Sequence, residues 1–164
     1  MSTRAAGPSA PRALLAFALL ALLGAPPASA KSITSCTITV SGVVFGTYTP
    51  MQTTPLDING TINIACTGIT GNNSVSIDLS TGASNSYLPT RTLISGTYTL
   101  NYNLYFDAAY TQVWGDGTGG SAEGSASIRK NAPNASLPVY GAIAAGQDPP
   151  PGSYADTILV TVNY

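Results

Sequence analysis

The sequence has 164 residues with six basic and seven acidic side chains and no histidine. That length suits one domain with a real core, and the missing histidine removes Ser-His-Asp and Cys-His catalysis and His-based zinc sites. The acids are dispersed, with no pair at a glycosidase spacing, and no basic cluster is present to neutralise a phosphate backbone. No enzyme, cofactor, metal site or nucleic-acid partner is expected.

Residues 1–30 read as a secretory signal peptide. Arg4 and Arg12 precede the apolar run Ala13 to Leu23, Gly24-Ala-Pro-Pro27 breaks it, and Ala28-Ser-Ala30 is a small-x-small cleavage site. The run is too short for a stop-transfer span, and no later stretch is long and apolar enough to cross a membrane. Residues 31–164 then form one exported domain. Cleavage leaves Lys31, Arg91, Arg129 and Lys130 against seven acids, and Thr, Ser, Asn, Gly and Tyr dominate, as on an extracellular all-β surface. In an exported chain the two cysteines, Cys36 and Cys66, read as one disulfide, which would stabilise the fold by about 3–4 kcal/mol in the chain-entropy model.

The mature chain carries strand patterns in sequence. Cys36 to Val40 alternates, and Val43-Val-Phe45 continues the run past a break at Gly42. Asn59-Gly60 reads as a turn. Thr61 to Cys66 is a second strand with Ile62, Ile64 and Cys66 inward, so the two cysteines sit on inward faces where a bond would cross the core. Val75, Ile77 and Leu79 mark a third strand, and Leu93-Ile94 a short apolar piece. Tyr98, Leu100, Tyr102, Leu104 and Phe106 form one face of the longest alternation. Leu137 to Ile143 is another strand. After a proline-rich turn comes the terminal run Tyr154 to Tyr164, with Ile158, Val160, Val162 and Tyr164 on one face and Thr157, Thr161 and Asn163 on the other. No sustained helical stripe follows the signal. Six or seven short strands make an immunoglobulin-like β-sandwich. The sequence stops inside its best strand, which leaves an edge formed by Ile158, Val160, Val162 and Tyr164 ready to accept a strand from another molecule.

Between these strands, Gly115-Asp-Gly-Thr-Gly-Gly120 lacks the Gly-Lys-Ser/Thr of a phosphate loop and the acids of a calcium loop. Trp114 beside Asp116 has two readings: an adhesive loop that stacks on a sugar, or a tryptophan packed at the end of the sandwich.

Taken together, Cys36, Phe45-Gly-Thr-Tyr48, Cys66, Leu100-Asn-Tyr-Asn-Leu-Tyr-Phe-Asp107, Trp114-Gly-Asp-Gly117, Val139-Tyr-Gly-Ala-Ile143 and Gly152-Ser-Tyr-Ala-Asp-Thr157 ahead of Val160-Thr-Val-Asn-Tyr164 form an ordered pattern. The pattern resembles the spore coat protein U domain, the subunit domain of archaic chaperone–usher pili, over Cys36 to Tyr164. The resemblance implies an incomplete immunoglobulin-like fold lacking its final strand. A periplasmic chaperone lends that strand first, and another pilin subunit replaces it at an outer-membrane usher. The implied role is a structural subunit of a pilus or of a surface or spore coat, exported through the periplasm and serving adhesion or biofilm formation. One departure stands out. Shaft subunits carry a donor strand before the first cysteine, whereas Lys31 to Ser35 spans about 17 Å at most and offers only Ile33 to fill a groove. A tip or terminal position is therefore expected. The alternative function, from a different class, is a self-contained carbohydrate-binding sandwich using Trp114, Asp116 and surface tyrosines.

Overall fold

A computed structural model describes residues 32–164; the signal segment, residues 1–30, lies outside the described residues. Among the described residues nine strands make two packed sheets: β1 (Ser35–Ser41), β2 (Leu56–Thr67), β3 (Asn72–Leu79), β4 (Arg91–Ser95), β5 (Tyr98–Tyr105), β6 (Trp114–Gly115), β7 (Ala122–Arg129), β8 (Asn134–Ile143) and β9 (Val160–Asn163). The five-stranded sheet runs β1-β2-β8-β5-β4 and the four-stranded sheet β6-β7-β3-β9. Every pairing is antiparallel except β6 with β7. The only helix among the described residues is a single 3₁₀ turn, Gly82–Ser84.

The expected inward faces fill the space between the sheets. Ile62, Ile64 and Cys66 of β2, Leu100, Tyr102 and Leu104 of β5 and Leu137, Val139 and Ile143 of β8 on the five-stranded sheet join Val75, Ile77 and Leu79 of β3 on the other in one buried cluster. Period-two burial of this kind places one row per strand in the core.

Three expectations need correction. Asn59-Gly60 is not a turn: both residues lie inside the twelve-residue β2. Gly60 is there for clearance, since a Cβ at this position would stand 2.7 Å from the Ser41 carbonyl oxygen. The first strand ends at Ser41, and residues 42–49 leave the sheet as an irregular segment. The Cys36–Cys66 disulfide is present, but it joins directly opposed residues of neighbouring strands in one sheet. It clips β1 to β2 and does not span the core.

One strand escapes the hydrophobic pattern. β7 reads Ala-Glu-Gly-Ser-Ala-Ser-Ile-Arg and has only Ile128 as a large apolar residue. Its small side chains make room for Trp114: a Cβ on Gly124 would fall 2.5 Å from the indole ring. A buried cation also went unsignalled. Arg91, at the start of β4, is fully buried and makes no ion pair among the described residues. It donates instead to the Ser80 carbonyl (3.0 Å), Asn103 Oδ1 (2.7 Å) and the Trp114 carbonyl (2.6 Å), and it lies over the Tyr87 ring. Burial lowers its pKa, yet these neutral acceptors take up its donors and let the charge persist inside.

Candidate functional site

The four-stranded sheet ends on β9, which pairs with β3 alone among the described residues. Its outer edge therefore presents backbone donors and acceptors without a ladder partner. A cleft of about 890 Å³ adjoins the start of that strand, reaching β9 at Val160. One wall is residues 42–48 and the other is the stretch from Pro149 to Val160. The floor is the core itself, including Ile62, Leu79, Leu100, Leu104, Val139 and Ile143.

Local chemistry sets both walls. After Ser41 the first wall departs from β2, and residues 43–48 make no backbone–backbone hydrogen bond among the described residues. Phe45 packs back onto Tyr102, with ring centroids 5.8 Å apart. The Tyr48 hydroxyl donates to the Ala144 carbonyl and accepts from the Gln147 N–H, each at 3.0 Å. Val40 and Val44 on this side are 52 % and 77 % exposed, an unusual amount of apolar surface beside a cleft. The second wall changes sheets along its length. Ala155 exchanges backbone hydrogen bonds with Ile94 of β4 in the five-stranded sheet, and Val160–Asn163 then pairs with β3 in the other. At the crossover the Asp156 carboxylate accepts N–H bonds from Ala83 and Thr157 through Oδ1 and the Tyr102 hydroxyl through Oδ2.

The structure divides the sequence-derived edge residues. Ile158 and Val160 line the cleft and are partly buried against the core. Val162 continues the same inward row and packs against the core, outside the cleft lining. Tyr164 lies beyond the end of β9 and is exposed. Sequence reasoning placed Thr37 to Phe45 in the site as one continuous first strand, and missed both the detachment of the wall from its sheet and the Tyr102–Asp156 contact. The break at Gly42 was the one available signal for the former, and nothing in the pattern marked the latter.

The adhesive reading of the Trp114 loop is corrected for its aromatic half. Trp114 has 0 % exposure, donates its indole N–H to the Ile77 carbonyl at 2.8 Å, and meets Phe106 edge-on. No face is left for a sugar. Asp116 is exposed and lines a shallow polar hollow of about 570 Å³ with Asp78, Tyr87, Thr161 and Asn163, on the far side of β9 from the cleft. Its carboxylate accepts from the Thr118 N–H and hydroxyl, and these bonds hold its pKa below the usual carboxylate value.

The described residues thus define an all-β, immunoglobulin-like sandwich of two sheets with one free strand edge and a cleft whose floor is the core. The chain belongs to the Spore Coat Protein U domain family, whose model matches residues 22–161. That match begins inside the segment read as a signal. Among solved structures the fold is similar to a chain in the CsuC–CsuE chaperone–tip adhesion subunit pre-assembly complex from archaic chaperone–usher Csu pili of Acinetobacter baumannii. That similarity has a TM-score of 0.55 at 22 % identity, over 79 % of this chain and 39 % of that one. The chain thus spans well under half of that relative. No curated protein matches the sequence.

Proposed function

We propose that this protein is an exported structural subunit of an archaic chaperone–usher pilus or a related surface coat, and that its cleft takes up an extended strand from a partner. The cleft carries the reading: it adjoins the free backbone edge at Val160 and exposes apolar side chains on its walls, so one added strand would pair the edge and cover those side chains together. The partners are a periplasmic chaperone, an outer-membrane usher and other pilin subunits. The similar complex from A. baumannii pairs a chaperone with a tip adhesion subunit, which supports this assignment. Residues 1–30 act as the export signal, and the finished protein sits at the cell surface in an assembly serving adhesion or biofilm formation.

A tip or terminal position is favoured because the short N-terminal stretch is tied into its own domain. Ser32 exchanges backbone hydrogen bonds with Thr70, the Thr34 N–H donates to Thr67, and Ile33 packs against the core. A segment held this way is poorly placed to be lent elsewhere. The self-contained carbohydrate-binding alternative loses the Trp114 ring to burial and keeps the polar hollow beside Asp116 and exposed tyrosines such as Tyr98 and Tyr164.

Thermal unfolding of the exported, oxidised protein tests the proposal, measured alone and with peptides copied from the N-terminal extensions of candidate partner subunits. A low transition raised by about 10 °C or more with one peptide is the expected result, since a few buried side chains at about 1.5–3 kcal/mol each are large against a domain's stability. A monomer with a high transition that no peptide moves would overturn it.

A further inference from the structure

We propose that Tyr102 and Asp156 form a positioning device that holds the two walls of the cleft apart, so that the slot is open before a strand arrives. The inference rests on the strand-uptake reading and concerns which residues prepare the site.

Tyr102 lies in the cleft floor on β5, almost fully buried, and it touches both walls. Its ring meets Phe45 of the detached first wall edge-to-face at 5.8 Å. Its hydroxyl donates to Asp156 Oδ2 in the second wall at 2.7 Å. A planar side chain with two χ angles, fixed by packing at its ring and by a charge-assisted hydrogen bond at its tip, is a stiff strut. The other end of the strut is equally fixed. Asp156 Oδ1 accepts the Ala83 N–H at 2.9 Å and the Thr157 N–H at 2.7 Å, anchoring the second wall to the 3₁₀ turn where it crosses between sheets. Burial and the neighbouring Asp156 carboxylate both raise the Tyr102 pKa, so the hydroxyl keeps its proton and remains the donor.

The device answers a physical difficulty in the fold. The floor residues are themselves buried, but the walls carry exposed apolar side chains, with Val44 at 77 %, and that surface favours collapse of the walls onto one another. Among the described residues the first wall has no backbone–backbone hydrogen bonds along residues 43–48 to resist this. A strut between the walls preserves the gap, and an incoming strand need not first prise them open. Preorganisation of this kind acts on the association rate.

The test compares the exported, oxidised wild-type protein with Tyr102→Phe, Asp156→Ala and Asp156→Asn. Each is mixed with a panel of synthetic peptides of roughly a dozen residues carrying valine or isoleucine at alternate positions, and association and dissociation are followed separately. Tyr102→Phe keeps the ring on Phe45 and loses the tip contact, so association should slow by about tenfold or more, with dissociation changed far less. Asp156→Ala should behave alike. Asp156→Asn should hold close to the wild-type rate, because its oxygen can still accept from Ala83 and Thr157 while its amide donates to the tyrosine oxygen. Equal association rates in all four proteins, or losses confined to dissociation, would overturn the proposal while leaving strand uptake intact. Failure of the wild type to bind any strand peptide would instead remove the strand-uptake reading itself. Should Asp156→Ala not fold, Tyr102→Phe, which retains every apolar contact, decides the matter.

Discussion

Trp114 and Gly124 share one packing solution: the largest buried side chain sits where its neighbouring strand has no side chain at all. Gly124→Ala places a methyl against the indole, which cannot retreat because its N–H is bonded to Ile77 and its ring is flanked by Phe106. We expect a loss of about 1–3 kcal/mol, read as a lower urea midpoint; an unchanged midpoint would show that the ring shifts freely. Asp78 offers a residue-scale test of opposite sign. Its Oδ1 is buried without a hydrogen-bond partner while Oδ2 accepts from Asn163 at 2.8 Å. Burial first, and then the nearby Glu123, raises its pKa from the ordinary 3.8. Because the folded pKa lies above the unfolded one, the folded state binds more protons in the interval between them. The associated stability is fully present below the unfolded value and is lost as pH rises through the folded value. Asp78→Asn removes the charge and keeps an acceptor for Asn163, so it should be more stable than wild type at pH 7. That advantage should shrink on acidification toward about pH 4. Urea midpoints for both proteins across this range check the sign, and a gap that does not change with pH would contradict it.

At the scale of elements, legibility followed the size of the inward side chains. β2, β3, β5 and β8 were readable because each places large apolar residues on alternate positions, and the structure buries those residues. β7 was not, because its inward row is Gly124, Ala126 and Ile128, and two of these are small to fit what faces them. Its identity as a strand comes from its partner β3, and tertiary pairing of that kind has no local pattern. The Asn59-Gly60 dipeptide misled for a related reason: it matches a hairpin turn, yet continued pairing of Leu56–Ala65 with β8 overrides the local preference. The cleft was legible by half. The alternation through Ile158 and Val160 marked one wall, with its free edge. The other wall lies at Val43–Phe45, which carries strand-forming residues but leaves its sheet after Gly42. Arg91 and the Tyr102–Asp156 contact depend on residues brought together from β4, β5 and the terminal stretch, so no spacing could announce them.

For the whole molecule, the question is whether the free edge and the open core are one deficit or two. The cleft reaches the edge strand at Val160, and one strand lying along β9 and on into the cleft would pair the edge with its backbone and fill the cleft with alternate side chains. A chain extended beyond Tyr164 by a short Asn-Gly turn and a strand of alternating valine and threonine tests this directly, because a hairpin would return the added strand antiparallel beside β9. If the deficit is single, the extended protein should be monomeric, should melt about 10 °C or more above the parent, and should no longer bind strand peptides or a dye that reports exposed apolar surface. All four changes are required to appear together. A higher melting temperature with undiminished peptide binding would place the added strand somewhere other than the cleft. Loss of peptide binding without any gain in stability would mean that the cleft is blocked but that its open floor costs the parent little.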